Sequence, residues 1–255
     1  MNLSLTALPG LPVIEPGADL FALIFQALKR ASLDLQSGDI LVLAQKIVSK
    51  AEGRFVNLGS ITPSVRAAEL AAVTEKDARL VELILRESKT VLRQRGGLLI
   101  VEHRLGFVCA NAGIDHSNVQ SGGGAAEDWV LLLPENPDAS AERLRRRLEA
   151  ASGASLGVLI IDTHGRAWRN GTVGVVIGLS GVPAVVDLRG QIDLFGYTLR
   201  VTQVAAADEL AAAASLLMGQ AAEGTPVVHV RGFPYPLRES SLAELIRPEE
   251  QDLFR

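Results

Sequence analysis

Val158-Leu-Ile-Ile161, followed at once by Asp162-Thr163-His164-Gly165-Arg166, is the stretch whose reading decides the fold. Four apolar residues in a row, most of them β-branched, make a run too short for a helix. They read as a strand with both faces buried. The run ends abruptly in polar residues. A carboxylate at that point is held on a rigid element and is expected to open into a loop.

Working outward, residues 173–179 and 184–186 read as further strands, 205–222 as an alanine-rich helix striped by Leu210, Ala214 and Leu217, and 227–230 as a late strand. Upstream, Arg143, Arg145, Arg146 and Arg147 mark a helix whose cationic face is expected to be solvated and ion-paired. Residues 129–133 read as a strand, 98–101 and 106–110 as a strand pair, and Ser121-Gly-Gly-Gly-Ala125 as a flexible surface segment. Thr62-Pro63 is expected to start one helix and Thr74 to cap another carrying Leu80, Leu83 and Ile84. Residues 40–44 and Ile47-Val48 are strand-like, with Lys46, Lys50, Glu52 and Arg54 beside them. Residues 18–33 read as a helix through Leu20, Phe21, Ile24 and Leu28, after a turn-rich entry at 8–12. Strands and helices mix without strict alternation. The expected class is therefore α+β (mixed α/β), a two-lobed single domain over residues 1–255 with a lobe boundary near 134–140, and not a barrel or doubly wound sheet. No GxGxxG fingerprint and no Gly-Lys-Ser/Thr loop is present, so neither a Rossmann nor a P-loop fold is expected.

Composition narrows the function. The chain has 255 residues, 48% hydrophobic and 21% charged, with a net charge of −4. That composition excludes a disordered or fibrous chain. It also lacks the basic excess that nucleic-acid binding needs. The lone Cys109 forbids an internal disulfide and reads as a core residue. No signal peptide or membrane span is expected, and the cytoplasm is the expected location.

Three polar clusters punctuate the apolar strands: Asn111 to Asn118, Asp162 to Arg166, and Met218-Gly219-Gln220. Asp162 with Thr163 offers adjacent oxygens to a hard divalent cation, and Asp115 could add another from a separate loop. Asp and Asn are equally at home in turns, where they bond their own backbone. Arg166 and Arg169 can clamp phosphate or carboxylate, or simply form surface ion pairs. Lys50 could face a phosphate or solvent. His103, His116, His164 and His229 lack ligand spacing and read as solvated or capping.

Six segments in order resemble the coenzyme F420:L-glutamate ligases: Gly10-Leu-Pro12 with Pro16-Gly-Ala-Asp-Leu20, Ile47-Val-Ser-Lys-Ala-Glu-Gly-Arg54, Asn111-Ala-Gly-Ile-Asp-His-Ser-Asn-Val119, Ile161-Asp-Thr-His-Gly-Arg166, Leu216-Leu-Met-Gly219 and Val230-Arg-Gly232. The resemblance implies a GTP-dependent ligase that adds L-glutamate by γ-linkage to the deazaflavin precursor F420-0 through an acyl phosphate, releasing GDP and phosphate. It implies two divalent cations, Mg2+ or Mn2+, with K+ as a further possibility. Asp115 and Asp162 would hold one ion, Thr163 and Gln220 the other. Gln220 brings only a neutral carbonyl oxygen where some members carry Glu. Nucleotide contacts would fall on Gly10, Leu11 and Pro12, on Gln45, Lys46 and Lys50, on Asn118, and on Met218, Gly219, Gln220, Ala221, Ala222, Glu223, Gly224 and Thr225. Lys50 and Arg166 would stabilise charge on the transferred group. A homodimer is expected, with small-molecule substrates and neither nucleic acid nor membrane as partner. No fused C-terminal flavin-reductase-like domain is expected. The competing readings are a ligase of the same fold for another acid or amine, and a noncatalytic nucleotide- or metal-binding regulator.

Overall fold

The computed structural model of the chain describes residues 2–119 and 128–253, so the expectation for residues 121–125 lies outside the described residues. The apolar run at 158–161 forms the middle of β8 (Gly157–Arg166), which pairs in parallel with β2 (Ile40–Ala44) and antiparallel with β9 (Arg169–Ser180). β12 (Val227–Arg231) lies antiparallel to β2, and β1 (Ser4–Ala7) closes the edge, giving a mixed sheet of order β1-β12-β2-β8-β9. Both faces are covered. Val158 and Ile160 join the core under α1 (Leu20–Arg30) and α5 (Pro137–Ser152), while Leu159 and Ile161 join the core under α6 (Ala206–Met218). Each Leu or Ile buried this way contributes roughly 1.5–3 kcal/mol.

Gly178 lets α5 come close: a Cβ there would lie 2.4 Å from the Pro137 side chain. The arginines on α5 are ion-paired as expected, Arg143 with Glu52, Arg145 with Glu149 and Glu239, Arg146 with Glu142 and Arg147 with Asp19.

A second layer comprises α3 (Val65–Thr74), α4 (Ala78–Arg86) and the antiparallel sheet β4 (Ser88–Arg95), β5 (Leu98–His103) and β6 (Val108–Ala110). Its core contains Val81, Ile84, Leu99, Val101 and Cys109, as expected for that thiol. Burial pushes the Cys109 thiol up to about 12. Two ribbons complete the chain: β3 (Phe55–Asn57) with β7 (Trp129–Leu131), and β10 (Val186–Asp187) with β11 (Gln203–Val204). Helices and strands alternate only as far as β3 and not beyond it, and the class is α+β, not Rossmann-like. No helix among the described residues is long and apolar enough to cross a membrane.

Four local expectations are corrected. Ile47 and Val48 lie in α2 (Gln45–Ala51), which starts directly where β2 ends, because burial of one helix face overrides their β preference. Ser64 caps α3 in place of Thr62-Pro63, accepting from the Ala67 N–H at 3.2 Å. Asp77 caps α4, whereas Thr74 is the last residue of α3. Finally, His103 and His229 are buried. His229 bonds Asp39 at 2.9 Å, and Asp39 also accepts from Arg231 at 2.8 Å and 2.6 Å.

Candidate active site

Asp162 and Thr163 do not open into a loop, as expected from sequence, but continue β8, opposite Val175 and Gly174 of β9. The two strands slip register between Ile160 and Ile161, where β9 carries the extra residue Ile177. Such a bulge re-aims the side chains that follow it. Strand alternation then puts Asp162 and His164 on one face and Thr163 on the other. Gly174 lets α6 approach Thr163: a Cβ there would lie 2.6 Å from the Ala211 carbonyl oxygen and 2.6 Å from the Ser215 Cβ.

Asp162 and Thr163 line a cleft of about 1060 Å³. Gln45, Lys46 and Lys50 of α2 form another wall, Leu11 and Pro12 of the entry turn a third, and Asn118 with residues 218–225 the rest. The segment after α6 is folded back on itself. Asn118 Nδ2 donates to the Ala221 carbonyl at 3.2 Å, Glu223 accepts from the Ala221 N–H at 2.8 Å, and Thr225 Oγ1 donates to the Met218 carbonyl at 3.2 Å.

Asp115 stands behind this wall. Asn111, Ala112 and Gly113 all have positive φ, a tight turn in which a Cβ on Gly113 would meet Leu133 at 2.8 Å. The chain then exchanges two backbone hydrogen bonds between Asp115 and Leu131, at 3.0 Å and 2.9 Å. Asp115 Oδ2 accepts from Gln45 Nε2 at 2.6 Å, and Oδ1 lies 3.4 Å from Lys46 Nζ. Ser49 Oγ donates to Gln45 Oε1 at 2.9 Å, which sets the orientation of that buried amide. Burial pushes the Asp115 carboxyl up to about 6 and the charge of Asp162 adds to it, while Lys46 and Gln45 pull the other way. Burial also lowers Lys50, assisted by repulsion from Lys46 and opposed by Asp115.

Of the residues singled out in the sequence, Leu11, Pro12, Gln45, Lys46, Lys50, Asn118, Asp162, Thr163 and the whole of 218–225 line the cleft. Gly10 lies just outside, its carbonyl accepting from Arg30 at 2.9 Å. Arg166 is exposed at the far end of β8, away from the cleft lining. Sequence reasoning missed Ile14, Ser215 and the exposed His116, which also line it, and the partly buried His164, whose Nε2 bonds Asp162 Oδ2 at 3.1 Å. No spacing signal marks these residues.

Two half-buried carboxylates, Asp162 in the cleft and Asp115 behind its wall, with the Thr163 hydroxyl and the Gln220 amide carbonyl in the cleft lining, offer the all-oxygen chemistry that suits Mg2+ or Mn2+. Among the described residues no three His, Cys, Asp or Glu side chains converge as a metal-holding group.

Comparison with known proteins identifies the family. The family model described as F420-0:Gamma-glutamyl ligase matches residues 10–232. The chain belongs to that family. The matched span of the gamma-glutamyl ligase family contains every cleft residue named above. Curated relatives named coenzyme F420:L-glutamate ligase include one from Methanothermobacter thermautotrophicus, 48% identical over 100% of both chains. Another, from Methanopyrus kandleri, is 47% identical over 95% of this chain and 93% of its own. A third, from Archaeoglobus fulgidus, is 44% identical over 100% of this chain and 97% of its own.

Proposed function

We propose that this chain is a GTP-dependent ligase that joins the amine of L-glutamate to the carboxylate of the deazaflavin acid F420-0, releasing GDP and phosphate. The observation that carries the reading is the convergence of Asp162, Thr163, Lys46 and Lys50 on one cleft closed by residues 218–225, with Asp115 held behind Lys46 at 3.4 Å. Its volume of about 1060 Å³ has room for a nucleotide beside an acid. The names of the relatives, all F420:L-glutamate ligases, support the substrate pair.

An amide cannot form from a free carboxylate at neutral pH without activation. In this reading the acid's carboxylate oxygen attacks the γ-phosphorus, the bond to the β-phosphate oxygen breaks, and GDP leaves. The glutamate amine then attacks the acyl carbon, phosphate departs with its bonding pair, and the nitrogen loses a proton. Phosphoryl transfer depends mainly on positioning and charge neutralisation. Leu11, Pro12, Asn118 and the 218–225 segment orient the nucleotide, and Lys46 and Lys50 offset phosphate charge from α2. Of the two residues proposed to stabilise the transferred group, Lys50 reaches the cleft, whereas Arg166 is at the exposed end of the hairpin. Asp115 and Asp162 would hold one divalent cation, Thr163 and Gln220 a second. Bound there, the ions would supply electrostatic clamping of the attacking and leaving oxygens. The two acidic ligands come from distant stretches, so the site exists only in the folded chain.

The oligomer in this reading is a homodimer working in the cytoplasm. The protruding arm between β10 and β11 supports it, since Leu194 is 97% and Phe195 95% exposed at its tip. Incubation with GTP, Mn2+, glutamate and F420-0, with and without K+, tests the reaction. The expected result is GDP release that requires both glutamate and acid, with product heavier by one glutamyl step. GDP release independent of both would contradict it.

A further inference from the structure

We propose that His164 is a positioning residue that fixes the carboxylate of Asp162 for a divalent cation by donating from Nε2 to Oδ2. This rests on the cation reading of the cleft given above. The bond is 3.1 Å long, with side-chain exposures of only 11% for His164 and 13% for Asp162, so water competes weakly for either partner. Strand alternation makes the pairing available, because residues two apart on β8 share a face.

The imidazole is itself held. Phe107 lies against it with ring centroids 5.2 Å apart, and His103 in turn stacks on Phe107 at 5.1 Å with the planes 6° apart. His103 Nδ1 accepts from the Leu105 N–H at 3.0 Å, which anchors the end of the stack. Three rings from two layers of the fold therefore lock the orientation of one carboxylate.

Asp115 repeats the arrangement with a different donor. Gln45 ties back its Oδ2 at 2.6 Å, leaving Oδ1 toward Lys46. In each acidic side chain one oxygen, Oδ2, is thus held by a side-chain nitrogen of the protein, and Oδ1 of Asp115 faces the Lys46 ammonium. Partners of this kind set the direction of a ligand's lone pairs, and their loss weakens metal affinity by about 10–100-fold.

The test is Mn2+ titration of the full-length protein without nucleotide, read by the electron paramagnetic resonance of free Mn2+. His164→Phe keeps a ring against Phe107 but has no donor. His164→Gln keeps a donor, and His164→Leu matches it in size without one. The expected result is Mn2+ binding weakened about 10–100-fold in the Phe and Leu variants and largely restored in the Gln variant. In turnover, the Mn2+ concentration for half-maximal rate should rise in parallel, with the KM for GTP at saturating Mn2+ unchanged. If the Gln and Leu variants bind Mn2+ alike and as tightly as the parent while Asp162→Ala loses it, the role of His164 is overturned and the cation reading survives. If Asp162→Ala also binds as the parent does, both fail.

Discussion

Gln45 and Asp115 are bonded across 2.6 Å although 70 positions separate them. Gln45 begins α2 at the end of β2, and Asp115 leaves a left-handed turn beside β7. The bond ties the main sheet to the segment that carries the acidic residue behind the cleft wall. Gln45→Leu removes the donor with little change in volume. Without it, Asp115 loses a contact that favours its charged form. The expected outcome is a Mn2+ requirement raised about tenfold, as for other partners of ligating carboxylates, with the fold retained. Metal titration of initial rates, alongside thermal unfolding, checks it.

Lys50 is a half-buried cation of the cleft, and among the described residues its ammonium has no acidic partner as close as Lys46 has in Asp115. Lys50→Met keeps the aliphatic stem and removes the charge. A group that stabilises charge in the transferring phosphoryl should cost about 10²–10³ in kcat. Steady-state kinetics with varied GTP decides the matter. A change in KM alone would assign Lys50 to ground-state nucleotide binding.

His103 gives a pH dependence of stability. Burial, helped by the charges of Arg104 and Arg54 and the nearby His164, lowers it to about 3, against the opposing pull of Asp162. The folded chain therefore holds this ring neutral where the unfolded chain protonates it. Stability is complete above pH ~6.5 and declines as pH falls toward about 3. Between pH 7.5 and pH 5 the loss from this residue should approach about 2 kcal/mol. Urea melts at the two pH values should show it, and His103→Gln should flatten the difference.

Much of the main sheet was legible because its strands are continuous apolar runs. The strand at 158–161 is the clearest case. Its extension through Asp162 was not, since polar residues continue a strand only when a partner such as β9 pairs with them. Ile47-Val48 failed for the opposite reason: two β-branched residues carry no period, and burial against the sheet made them helical. Asp115 was legible as a turn carboxylate and Asp162 as a carboxylate following an apolar strand, though Asp162 lies within β8 and not beyond its end. The partnership of Asp162 with His164 was not, because a histidine two residues away acquires meaning only once Phe107, from another layer, packs on its ring. His229 and Asp39 are 190 positions apart and meet only through the pairing of β12 with β2.

The apolar arm carries a prediction of its own. Leu194 and Phe195 make its tip, and Ile192 and Val201 on its flanks are also exposed. Contiguous exposed apolar surface of this kind marks an association site. Leu194→Asp combined with Phe195→Asp should convert a dimer to a monomer in sedimentation velocity, with little change in unfolding temperature measured at fixed protein concentration below the dimer's dissociation range. An unchanged sedimentation coefficient would remove the arm from the interface.

The most direct measurement is diffraction at the manganese edge from crystals grown with Mn2+ and GDP. The account predicts an anomalous peak bound by Asp115 and Asp162, with a phosphate oxygen beside it and the nucleotide lying along residues 218–225. Ordered nucleotide in the cleft with no manganese on either carboxylate would contradict it.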